Sequence, residues 1–285
     1  MTLAVPFSPP ARTGRLDIPV MFEMALSCFV IFTYMQGWAA PLTGWAADPT
    51  KLVALKYGFL PAYGATVLLI ALDPARALKA VGRTPIIYAT VALAAASCLW
   101  SIDGGATLRR VLALSLTTLA GTVIAARWNL RQLTEMVAGQ FALLMIMSAV
   151  FAVVPPRLGI MTELFPGAWR GVWTEKNGLG GMMALGAMFC LAAAVLAPPR
   201  RWIWAGLFAG CAALVLLSTS TTSLLCLMLG VLGIAVVGLF RRGPAMAVVG
   251  PWLGVSAAAV LAALLVLVPD LIWFLLGKDA TLTGR

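Results

Sequence analysis

Apolar stretches as long as a bilayer is thick recur along the whole chain, separated by short polar or basic runs. Stretches of about 20 apolar residues with few charges predict transmembrane helices. The pattern predicts spans at roughly 18–38, 53–72, 86–100, 111–126, 133–154, 178–197, 202–217, 224–240 and 245–269, nine in all. Pro155 and Pro156 end the fifth, because proline cannot continue a helical hydrogen-bond ladder. The first stretch is longer than the core of a signal peptide and reads as an uncleaved span. The fold class expected is all-α, a polytopic membrane helical bundle with residues 1–285 as one transmembrane domain. Small residues in the sixth span, and the pairs Gly206/Gly210 and Gly250/Gly254, allow close helix approach.

Composition strengthens this picture: 62% of residues are hydrophobic and 11% charged. The net charge of +10 sits in short clusters between spans, so topology explains it better than nucleic acid does. Arg12 and Arg15, then Arg76, Lys79 and Arg83, then Arg127 and Arg131, Arg200 and Arg201, and Arg241 and Arg242 all fall on one side. The positive-inside rule makes that side cytoplasmic, with the N-terminus inside and the C-terminus outside. Lys51, Lys56, Arg109, Arg110, Arg157, Arg170, Lys176, Lys278 and Arg285 then fall outside, where short loops disfavour them. Lys51 and Lys56 merely flank the second span; an anionic ligand would account for the rest.

Charges within or beside the spans are few. Glu23 lies about a turn and a half inside the first span. Its place near the basic end lets it reach the interface, a reading preferred over a functional intramembrane carboxylate. Glu135 pairs by its spacing with Arg131. The five cysteines lie inside apolar segments without a disulfide or metal pattern and read as packing residues. The chain has no histidine, which excludes His-dependent acid–base chemistry and His-ligated metals. No metal and no cofactor is expected.

One stretch, W-R-G-V-W-T-E-K-N-G-L-G-G at 169–181, interrupts the apolar pattern. A helix beginning near Asn177 would present unpaired backbone N–H groups and the positive end of its dipole. With Arg170 and Lys176 beside it, this boundary suits an anion such as a phosphate. Equally, Trp and Lys anchor helix ends and Asn177 caps one. At 98–110, C-L-W-S-I-D-G-G-A-T-L-R-R leads into the fourth span and places Arg109 and Arg110 in its first turn, against the dipole. Either an anionic partner or lipid headgroups would hold them there. The hydroxyls of 218–223, S-T-S-T-T-S, could contact sugar or phosphate oxygens, or cap the next helix.

Trp169-Arg170-Gly171 followed by Lys176-Asn177-Gly178-Leu179-Gly180 resembles the signature of the bacterial O-antigen ligase and exopolysaccharide polymerase superfamily. Trp100-Ser101-Ile102-Asp103 and the following arginine pair resemble its polymerase branch. In many members His precedes the Lys-Asn pair; here Glu175 stands there. The C-terminal L-G-K-D-A-T-L-T-G-R resembles the start of the family's large periplasmic segment, so 1–285 is expected to be a fragment of a longer protein of about ten to twelve helices.

The resemblance implies a metal-independent glycosyltransferase of the bacterial inner membrane. Its donor would be a glycan on undecaprenyl pyrophosphate at the periplasmic face. Its acceptor would be another lipid-linked glycan or the lipid A core, with membrane lipids, a chain-length regulator and a flippase as partners. Stabilising the departing pyrophosphate needs fixed cations in a site of low dielectric. Arg109, Arg110, Arg170, Lys176, Asn177 and Arg285 are the candidate contacts, and Glu175 the candidate general base. A transporter, or a non-catalytic membrane scaffold, is the alternative.

Overall fold

The computed structural model describes residues 18–45, 57–162, 164–240, 252 and 254–256. Their regular secondary structure is helical, apart from one isolated antiparallel bridge, Ile160–Trp169. In chain order the helices are α1 Ile18–Tyr34, α2 Ala39–Thr43, α3 Leu60–Leu72, α4 Pro74–Arg83, α5 Pro85–Ala96, α6 Gly104–Arg127, α7 Leu130–Val153, α8 Pro156–Gly159, α9 Lys176–Leu196, α10 Arg201–Leu217 and α11 Thr221–Phe240. Short 3-10 turns, Ser97–Leu99 and Pro198–Arg200, follow α5 and precede α10.

Among the described residues, five helices are long and apolar enough to cross a membrane: α6, α7, α9, α10 with its preceding turn, and α11. This differs from the expected pattern at the N-terminal end. The first stretch stops at Tyr34, where Gln36 at φ 59° turns the chain before α2. The second is realised as the thirteen-residue α3. The third is part of a pair, α4 and α5, bent by 86° at Thr84, where Pro85 breaks the ladder. The expected ninth span, 245–269, falls almost wholly outside the described residues.

Helix starts follow local chemistry. Asp73 caps α4 by accepting the Arg76 N–H at 3.0 Å, and Asp103 caps α6 by accepting the Ala106 N–H at 2.9 Å. Asn129 and Gln132 form a reciprocal capping box that opens α7. Because α6 starts at Gly104 and not at 111, Arg109 and Arg110 lie in its second turn, beyond the strongest field of the dipole.

The helices form two packing groups. One buries Val30, Leu69, Ala120, Val123 and Ile124 between α1, α3 and α6. The other buries Phe141, Leu144, Leu179, Met183, Cys190 and Cys211 between α7, α9 and α10. The small residues of α9 allow close contact: a Cβ at Gly186 would come within 2.9 Å of Phe141. Cys190 and Cys211 are core residues, as expected, whereas Cys226 is exposed. Leu225, Met228, Leu229 and Leu232 of α11 point out of the protein. Exposed apolar faces on helices of this length are what a lipid environment covers, and they give the protein its membrane character.

Polar side chains mark one end of the bundle. The Arg127 guanidinium lies 3.3 Å from Glu23 Oε2 and also donates to the Leu69 carbonyl. Trp128 Nε1 donates to Ser27 Oγ at 3.0 Å. Glu23 is thus paired with a buried arginine at the C-terminal end of α6. Glu135 takes the expected Arg131 at 3.6 Å, and Arg200 approaches it at 3.9 Å.

Candidate functional site

At the opposite end the chain between α7 and α9 folds into a compact loop. Met161 N–H donates to Ala168 O at 2.8 Å and Gly167 N–H to Met161 O at 3.0 Å, closing a small hairpin. Gly159 O then accepts two N–H groups, from Arg170 at 2.8 Å and Gly171 at 3.0 Å. Gly171 has φ 56°, and a Cβ there would sit 2.5 Å from Ser148 Cβ. Glycine is required at this point for both reasons. Trp169 N–H donates to Leu217 O at 3.1 Å, tying the loop to the end of α10.

Arg170 latches this loop. Its Nε donates to Leu158 O at 2.8 Å and its Nη2 to Arg157 O at 3.2 Å. Its guanidinium lies 5.9 Å from the centroid of Trp45, within cation–π range. Trp45 in turn donates its Nε1–H to Trp173 O at 3.0 Å and packs its ring on Phe151. Sequence reasoning missed Trp45, because nothing local links position 45 to a loop 128 residues away.

Glu175 is the extended residue just before α9, exposed, with no capping bond from its side chain. Lys176 opens α9, one residue earlier than expected. Asn177 therefore lies inside the first turn and does not cap the helix. The Lys176 ammonium lies 3.7 Å from the Phe165 ring centroid and 3.5 Å from Thr219 Oγ1.

The serine-rich turn is seated directly beneath this helix start. Ser218 Oγ donates to Val215 O at 2.7 Å and accepts the Ser220 N–H at 3.3 Å. Ser220 and Ser223 hydroxyls share a hydrogen bond at 2.9 Å. These hydroxyls organise the α10–α11 turn, in which Thr219 has φ 52°. A Cβ at Gly180 would lie 2.7 Å from both Ser218 Oγ and Ser223 Oγ, so glycine lets α9 touch the turn. Beside that contact is a cavity of about 540 Å³. Asn177, Ser220, Thr222 and Ser223 form its polar part, and Leu185 and Met188 are among its apolar walls.

Not all candidates meet here. Arg109 and Arg110 are exposed on α6, which packs against α1, α3, α4 and α5, whereas α9 packs against α7, α10 and α11. The structure therefore puts the arginine pair and the Arg170–Lys176 loop in different packing groups. Arg285 and Lys278 lie outside the described residues. Among the described residues no three His, Cys, Asp or Glu side chains gather as a metal site.

No family model, curated protein or solved structure matches the chain. The site is defined by its geometry alone.

Proposed function

We propose that this protein is a polytopic glycan polymerase or ligase of a bacterial inner membrane. In this reading it transfers glycan from an undecaprenyl-pyrophosphate donor to an acceptor hydroxyl at the periplasmic face. The acceptor oxygen attacks the anomeric carbon, and the bond from that carbon to the pyrophosphate breaks with the electron pair leaving on phosphate. Lys176, the first-turn N–H groups of α9 and Asn177 would stabilise the departing anion. Glu175, exposed just before α9, would accept the acceptor's proton. Arg170 would act chiefly by holding the loop that presents these groups.

The observation that carries the reading is the cavity between α9 and α11. It joins Asn177 and the Ser220, Thr222 and Ser223 hydroxyls to the apolar Leu185 and Met188. A polar mouth beside a cationic helix start, with an apolar interior, suits a lipid-linked anion. Orientation is part of the proposal: Arg76, Lys79, Arg127, Arg131 and Arg200 gather at the other end, which the positive-inside rule assigns to the cytoplasm. A transporter has less support, since Glu23 and Glu135 are both paired with arginines.

The test is glycan output from a deletion strain complemented with the full-length gene. Lys176→Met is expected to lower high-molecular-weight glycan on the order of a hundredfold, the usual effect of losing one contact to a developing anion. Gly180→Leu should abolish it by pushing the serine turn off α9. Wild-type glycan from Lys176→Met and Asn177→Ala together would overturn the reading.

A further inference from the structure

A second cavity lies at the opposite end of the bundle, and the proposed reaction makes no use of it. It measures about 440 Å³ and sits between α4, the start of α5 and the C-terminal half of α6. Arg76, Lys79 and Arg83 line it from α4. Positions 76, 79 and 83 recur at helical spacing, so the three cations share one face of that ten-residue helix. The facing wall is of another kind: Ile87, Gly121 and Ala125 are apolar or small. Thr122 also lines it, and its hydroxyl is hydrogen-bonded to Tyr88 Oη at 3.0 Å. Asp73, which caps α4, lies 3.1 Å from Arg76. The residues that line the cavity include these three cations and no carboxylate.

The bend between α4 and α5 sets the depth of this cavity. At 86° to α5, α4 runs along the bilayer surface when α5 runs across it. Its cations then stand at the level of the lipid headgroups, while the wall of α5 and α6 descends into hydrocarbon. Leu78 on α4 and Ile86 on α5 are 75% and 80% exposed, apolar surface of the kind a lipid environment covers. A polar solute would gain nothing from the apolar wall, and an uncharged lipid nothing from the cations. The occupant that satisfies both is an amphiphile with an anionic head.

We infer that the α4–α6 groove is a binding site for an anionic glycerophospholipid. Its phosphate lies among Arg76, Lys79 and Arg83, and an acyl chain lies against Ile87, Gly121 and Ala125. Basic pockets between membrane helices recognise such headgroups by charge, while buried methylenes add affinity without regard to headgroup. The site is independent of the donor site at the other end of the bundle.

Native mass spectrometry of the full chain, released from micelles carrying equal phosphatidylglycerol and phosphatidylcholine, tests this. Wild type is expected to retain phosphatidylglycerol preferentially. The triple variant R76Q/K79Q/R83Q should lose that preference on the order of a hundredfold, since three cations are removed. A second variant leaves the charge alone. A Cβ at Gly121 meets nothing within 4 Å, and Gly121 lines the groove, so Gly121→Leu starts its side chain in open space there. It should reduce phosphatidylglycerol retention with all three cations in place, and excess inorganic phosphate should not displace the lipid from wild type. Equal retention of the two lipids by wild type, or preference persisting in the triple variant, would overturn the inference. So would full retention by Gly121→Leu, or displacement by phosphate, because the cations would then act as a charged surface and not as the rim of a groove.

Discussion

Arg127 and Glu23 are 104 positions apart in the chain, and their side chains meet at 3.3 Å inside the bundle. The Arg127 side chain is only 2% exposed. It also donates to the Leu69 carbonyl, so one guanidinium joins α1, α3 and α6. A charge this deep persists because it is paired and hydrogen-bonded.

Glu23→Gln should therefore destabilise the protein by about 3 kcal/mol, because it strands a buried cation. Denaturant unfolding in detergent micelles measures this. The double variant E23Q/R127M should recover part of the loss, since neither charge remains. Unchanged stability of Glu23→Gln would show that the pair contributes nothing.

Arg170 makes a different kind of contact. Lysine at this position keeps the charge but cannot reproduce the fork that holds Leu158 O and Arg157 O together. Arg170→Lys is expected to cost about 1 kcal/mol locally. Amide exchange across residues 159–171 should accelerate, and glycan output should fall with it. Wild-type protection in this segment would mean that the latch is dispensable.

Gly171→Ala tests the seat of the same loop. The alanine methyl would meet Ser148 Cβ at 2.5 Å and adopt φ 56°. Destabilisation of at least about 1 kcal/mol is expected from the backbone alone, with the clash added. Ser148→Gly removes the two closest contacts, Cβ and Oγ, so Gly171→Ala should cost less when made in a Ser148→Gly background than in wild type. An equal cost in both backgrounds would place the whole effect in the backbone.

Orientation is checked by labelling in a cysteine-free background. Phe165→Cys, in the loop before α9, should react with a membrane-impermeant maleimide applied from the periplasm. Pro199→Cys, in the turn before α10, should not. The reverse pattern would move the proposed site to the cytoplasmic face.

Much of the helical plan was legible in the chain. α7, α9, α10 and α11 fall where the apolar runs place them, because length and apolarity alone decide which segments can cross a bilayer. The Arg131–Glu135 pair was equally legible, since it depends only on the helical repeat. Helix breaks were less so. A window of hydropathy does not register that Gln36 turns the chain at φ 59°, or that α4 meets α5 at 86° where Pro85 opens the second helix.

The stretch at 169–181 announced itself by its mixture of charge and tryptophan; Asn177 lines a cavity with Ser220, Thr222 and Ser223, and the Lys176 ammonium lies 3.5 Å from Thr219 Oγ1. What only the tertiary structure decided is who meets whom. Trp45 reaches Trp173, Glu23 finds Arg127, and Arg109 and Arg110 belong to a packing group apart from Arg170. A sequence records periodicity, which sets each helix and its faces. Contacts between distant segments depend on how helices cross, and that follows from shape: from the glycine that lets α9 touch the serines and the glycine that lets the loop touch Ser148.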